Sequence, residues 1–165
     1  MNGAVVSTLR AGVALALLVG FFGQAVVIPT TAADEVDRFP PYGPYELPYV
    51  TVAVLGVACV QVALVATWVL LGMVRRDALF TPRAFRWVDM IIGASAVATL
   101  LALGVTGHLL VADIPSPDDG MELLGALFTA AAGTGVGAGF ALLVVVMRGL
   151  LHKATHLQTE LAGVV

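Results

Sequence analysis

Charge is what this sequence has least of. Only 12% of its 165 residues are Asp, Glu, Lys or Arg, where a soluble domain carries about 25%, and 59% are hydrophobic. A small globule has too little interior to hide that much apolar surface, so the excess must face a second apolar phase, and lipid is the natural one. Cysteine is nearly absent. Cys59 stands alone, which excludes an intrachain disulfide, and it lies in an apolar run where it reads as a small hydrophobe. Basic residues are also scarce, eight against eleven acidic, for a net charge of −3. Nucleic-acid partners call for a clustered basic face, and these few basic residues are better explained by membrane topology, so no direct nucleic-acid partner is expected. No catalytic triad, paired-carboxylate site or phosphate loop is visible. The chain is therefore expected to be no enzyme and to hold no cofactor and no metal.

What is present is a set of long uncharged runs. No charged residue lies between Arg10 and Asp34, Glu46 and Arg75, Asp89 and Asp113, or Glu122 and Arg148, gaps of 23, 28, 23 and 25 residues. At about 1.5 Å per residue even the shortest covers about 35 Å as a helix, enough for a hydrocarbon core of about 30 Å. No run alternates polar with apolar residues, and an open strand would leave backbone groups unpaired in lipid. The expected fold is all-α: one polytopic membrane domain over 1–165, with transmembrane helices near 6–28, 48–74, 86–112 and 123–148. The first run, Ala11–Ile28, is longer than the usual apolar stretch of a secretion signal and is read as an uncleaved helix.

Orientation follows from the connections. Arg10, Arg75, Arg76, Arg83, Arg86, Arg148 and Lys153 fall on one side, and Arg38 alone falls on the other, amid Asp34, Glu35, Asp37, Glu46, Asp113, Asp118, Asp119 and Glu122. The positive-inside rule makes the basic side cytoplasmic. The expectation is a multi-pass cell-membrane protein with both termini in the cytoplasm. Phe39-Pro40-Pro41-Tyr42-Gly43-Pro44-Tyr45 reads as a non-helical segment whose rings suit the outer interface. Thr81-Pro82 reads as an N-cap with proline at the first helical position. Similar endings of the first and third helices, and of the second and fourth, suggest two helical hairpins.

Polar groups within the spans are the first candidates for function, because they are costly in lipid. They are Gln24, Gln61, Asp89 and His108. Each also has a structural reading: cross-helix hydrogen bonds for the glutamines, a local or interhelical ion pair for Asp89, an interfacial ring for His108. Arg75, Arg76, Arg83 and Arg86 set topology and are candidates for holding anionic lipid headgroups or a partner. Gly133, Gly135, Gly137 and Gly139 have the spacing that lets helix backbones approach, within the bundle or between copies. In the tail, 149–165, Leu150, Ala154, Leu157, Leu161 and Val164 recur at steps of four and three. That seam is expected to be an amphipathic cytoplasmic helix docking through Leu157 and Leu161.

The basic connection Met73-Val74-Arg75-Arg76-Asp77-Ala78-Leu79-Phe80-Thr81-Pro82-Arg83-Ala84-Phe85-Arg86-Trp87-Val88-Asp89 resembles that of the bacterial membrane family called domain of unknown function 2975 (DUF2975). The actinobacterial branch is especially similar, through Asp89-Met90-Ile91-Ile92-Gly93-Ala94 and Leu157-Gln158-Thr159-Glu160-Leu161. The resemblance implies a four-span protein of the bacterial inner membrane and brings no activity or catalytic residues. Some members are encoded beside a small helix-turn-helix regulator, which implies a regulatory partner. The leading functional expectation is a non-enzymatic accessory or regulatory membrane protein. Its expected partners are the lipid bilayer and a cytoplasmic regulatory protein or a second copy of the chain. The alternative is a small transporter or channel subunit lined by Gln24, Gln61 and the glycine-rich helix.

Overall fold

The computed structural model describes residues 3–74, 82–117 and 120–162, with side chains as far as Ala154. Arg75, Arg76, Thr81, Asp118 and Asp119, and the side chains of Leu157 and Leu161, lie outside the described residues. All regular structure described is helical. Helix α1 (Gly3–Phe22) passes through a π turn (Gly23–Val27) into α2 (Ile28–Arg38). A 3-10 turn (Pro40–Tyr42) leads into α3 (Gly43–Val74), followed by α4 (Pro82–Val111) and α5 (Met121–Ala162). Four stretches are long and apolar enough to cross a membrane: Gly3–Arg38, Pro40–Val74, Arg83–Val111 and Met121–Ala154.

Two helix boundaries depart from the sequence expectation. The first helix does not stop near residue 28 but continues to Arg38. Pro29 should break it, since proline lacks the N–H and its ring crowds the preceding turn. The π turn absorbs the conflict: the Ile28 N–H bonds to Gly23 O, widening the helix just before the proline. Thr30 Oγ1 donates to the carbonyls of Val26 and Val27 at 2.7 and 3.2 Å, and Thr31 Oγ1 also donates to Val27 O. These hydroxyls donate back into the turn that carries the proline, the local bond that Ser and Thr side chains commonly make in helices. Correspondingly, the Phe39–Tyr45 segment is not wholly irregular. Phe39 is the break, at φ −135° and ψ 87°, while Gly43, Pro44 and Tyr45 already belong to α3. Pro44 is tolerated because first-turn N–H groups have no intrahelical acceptor.

At the other end, α4 starts at Pro82 and α5 runs unbroken past Arg148 to Ala162, 42 residues or about 63 Å. Gly120, at φ +82°, turns the chain into α5, and its carbonyl accepts the Leu124 N–H at 3.0 Å.

The spans are antiparallel neighbours in chain order: α1 and α2 lie against α3, α3 against α4, and α4 against α5. Among the described residues, the backbone of α1 does not pack against α4 or α5, nor that of α3 against α5. The bundle is therefore open. Its interior is correspondingly thin, with Val6, Ala66, Ala84, Ile91, Ser95 and Leu109 as its buried residues. Hydroxyls within the spans are largely satisfied by their own helices. Thr51, Thr67, Ser95, Thr99, Thr106, Thr129 and Thr134 each donate to the carbonyl four residues back, at 2.7–2.9 Å. That removes the penalty of an unpaired polar group in lipid without committing any of them to a ligand.

Candidate functional site

Alternating helix directions gather the charges at two ends. One end carries Asp34, Glu35, Asp37, Glu46, Asp113 and Glu122; the other carries Arg10, Arg83, Arg86, Arg148 and Lys153.

At the acidic end the open packing leaves a cavity of about 370 Å³ between α2, the start of α3, the α4–α5 connection and the first turns of α5. Its walls are almost wholly apolar: Ile28, Ala32 and Val36 from α2, Val50 and Ala53 from α3, Ile114 from the connection, Leu123 and Ala126 from α5. Tyr42, Tyr45 and Tyr49 enter on one side, and Glu35, Glu46 and Glu122 complete the lining. Local structure explains how the rings converge. The Phe39 break and the following 3-10 turn bring Phe39 and Tyr42 edge to face, centroids 4.9 Å apart. Tyr42 then reaches across the gap, its hydroxyl 3.5 Å from Glu122 Oε2. Tyr45 and Tyr49 stand four residues apart on α3, hence on one face. Both meet His108 of α4 edge-on, at 6.2 and 5.8 Å, and the Tyr49 hydroxyl is 2.9 Å from His108 Nδ1. His108 thus fixes the tyrosine wall by tying α3 to α4.

Charge at this end is unbalanced. Arg38 lies 3.1 Å from Glu35, three residues away on the exposed side of α2. Among the described residues, Glu46 and Glu122 have no cationic partner. Nor does any group of three or more His, Cys, Asp or Glu come together there to hold a metal ion.

The other intramembrane polar residues do not join this cavity. Gln24, in the π turn, donates from Nε2 to Val54 O of α3 at 2.9 Å. Gln61 faces a separate gap between α1 and α3, about 650 Å³ and lined by Ala14, Leu17, Leu18, Phe21, Val65 and Trp68. Of the glycines in α5, Gly137 alone meets α4: a Cβ placed there would come 2.6 Å from Thr99 Oγ1. Gly133, Gly135 and Gly139 are exposed and have no such neighbour.

At the basic end Asp89 pairs with Arg148 of α5, Nε to Oδ1 at 2.5 Å and Nη2 to Oδ2 at 3.2 Å. The interhelical option holds there, and Arg86 is not the partner. Arg83 and Arg86 are exposed and make no ion pair among the described residues. The guanidinium of Arg10 lies over the Trp68 ring, 5.0 Å from its centroid, and packs on Gly72.

A family described as "protein of unknown function (DUF2975)" matches residues 30–165. The chain belongs to that family. No curated protein and no solved structure matches it. The DUF2975 segment contains every residue lining the acidic-end cavity except Ile28, whereas Gln24 and the whole of α1 precede it.

The cavity is what reading the sequence missed. Its tyrosines look like interfacial rings and its glutamates like loop charges that set topology. The one usable signal is the Tyr45/Glu46/Tyr49 grouping at the start of α3, which a helix places within about one turn.

Proposed function

We propose that this DUF2975 protein is a non-enzymatic accessory or regulatory membrane protein. It works by contact at its basic end, with both termini in the cytoplasm. The observation that carries this reading is the separation of the polar groups within the spans. A path for a solute needs such groups to converge on one lumen. Here Gln24 is engaged by a backbone carbonyl, Gln61 faces a second, apolar gap, and the backbone of α5 with its glycines does not pack against α1 among the described residues. Meanwhile Arg83 and Arg86 stand exposed without carboxylate partners among the described residues, open to an acidic protein surface or anionic headgroups. The continuation of α5 beyond Arg148 extends the chain from the same end. A seam of Leu157 and Leu161 on that extension would supply the apolar part of the contact, to a cytoplasmic regulatory protein or to a second copy.

The test compares two variants in the native host, with deletion of the gene as the reference phenotype. Leu157→Asp with Leu161→Asp is expected to insert normally, lose cross-linking to its cytoplasmic partner and fail to complement. Gln61→Leu is expected to complement. The reverse pattern, complementation by the double variant and failure of Gln61→Leu, would overturn the contact reading in favour of a transport path.

A further inference from the structure

We infer that the acidic-end cavity is a binding site for an amphiphilic organic cation, an ammonium or phosphonium centre carrying an apolar body. The inference is independent of what docks at the basic end.

Volume sets the scale. About 370 Å³ falls in the lower part of the range of roughly 300–1,000 Å³ typical of small-molecule pockets. The walls set the body of the ligand: Ile28, Val36, Val50, Ala53, Leu123 and Ala126 favour an apolar group over a sugar or a peptide backbone. Charge sets the head. Glu46 and Glu122 lie at an apolar cavity without cationic partners, and Arg38, the basic side chain at this end, is spent on Glu35. Glu122 is exposed and Glu46 half-buried at the edge of the cavity, so the two carboxylates draw a cation to its mouth while the apolar walls receive the body. Three tyrosines, Tyr42, Tyr45 and Tyr49, also lie in the lining, and aromatic rings are side chains that attract a diffuse positive charge.

The same features exclude the nearest competitors. A bare divalent ion needs several converging oxygen ligands, and no group of three such side chains meets here among the described residues. An anion meets three glutamates. A neutral lipid chain would satisfy the walls but would leave the charges of Glu46 and Glu122 without a cation among the described residues.

The probe is tritiated tetraphenylphosphonium, bound to the purified full-length protein in phosphatidylcholine nanodiscs, with empty nanodiscs subtracted. Saturable binding is expected, displaced by unlabelled tetraphenylphosphonium at least tenfold better than by the neutral triphenylphosphine oxide. This comparison needs no variant and so stands whatever the substitutions do to folding. Glu46→Gln with Glu122→Gln is expected to weaken binding at least tenfold. Asp34→Asn with Asp37→Asn removes equal charge from the exposed face of α2 and is expected to change binding less than twofold. Absence of saturable binding overturns the site. Equal displacement by the oxide makes the cavity a neutral apolar one and overturns the cation claim. Equal losses in the two charge variants reduce the effect to a diffuse negative field, which also overturns it.

Discussion

Where α4 and α5 cross at Thr99, the close approach depends on one missing side chain. A Cβ at position 137 would lie 2.6 Å from Thr99 Oγ1 and 3.5 and 3.6 Å from Thr99 Cβ and Cα. The last two are ordinary contacts, so the conflict is with the hydroxyl. Gly137→Ala can be accommodated in two ways. Thr99 can swing its hydroxyl away and lose its 2.8 Å bond to Ser95 O, at a cost of about 0.5–1.5 kcal/mol. Or the helices can move apart, at the 1–3 kcal/mol or so typical of overpacking. Against either stands the gain in helix propensity from glycine to alanine, about 0.8–1 kcal/mol. Gly135→Ala has the same gain and meets nothing within 4 Å. The difference between the two variants therefore isolates the contact, at about 0.5–3 kcal/mol. For a chain of this size that is roughly 1–12 °C in melting temperature. The assay is thermal unfolding of both variants in one detergent, read by circular dichroism. Adding Thr99→Ala removes the obstructing hydroxyl and should close most of the gap. Equal melting of Gly135→Ala and Gly137→Ala would refute the packing assignment, and so would a gap that Thr99→Ala leaves unchanged.

Gln24→Leu should destabilise by about 0.6–2 kcal/mol through loss of its bond to Val54 O, whereas Gln61→Leu, which loses no hydrogen bond, should melt like the parent. The Asp89–Arg148 pair is about half exposed, so Asp89→Asn should cost no more than about 1 kcal/mol, and exchanging the two charges should restore most of it; a larger loss would mean that the pair is buried in lipid or in an assembly. Reporter fusions at Ala78 and Val165 should report cytoplasm and those at Gly43 and Pro117 the opposite side; a Val165 fusion reporting the outside would overturn the orientation.

The sequence by itself determined the number of spans and the separation of charge between the two ends. Both are one-dimensional: an uncharged run long enough to cross lipid must become a helix, and arginines cluster in connections whatever the helices do with each other. The start of α4 at Pro82 was equally legible, since proline at a first helical position is a local rule. So was the family, through the basic connection. What only the tertiary structure decided is which faces meet. Helices that are apolar all round carry no stripe that marks their partner, so nothing in Gly133-Thr134-Gly135-Val136-Gly137 distinguishes the glycine that meets Thr99 from the exposed ones. Pro29 illustrates the same limit: its local rule predicts a break, and the π turn ahead of it lets the helix continue. The cavity is the strongest case. It draws Glu35, Tyr49 and Glu122 together from three segments, and it exists because α5 does not close onto α3. That outcome depends on the summed fit of whole helix surfaces, a quantity with no local trace along the chain.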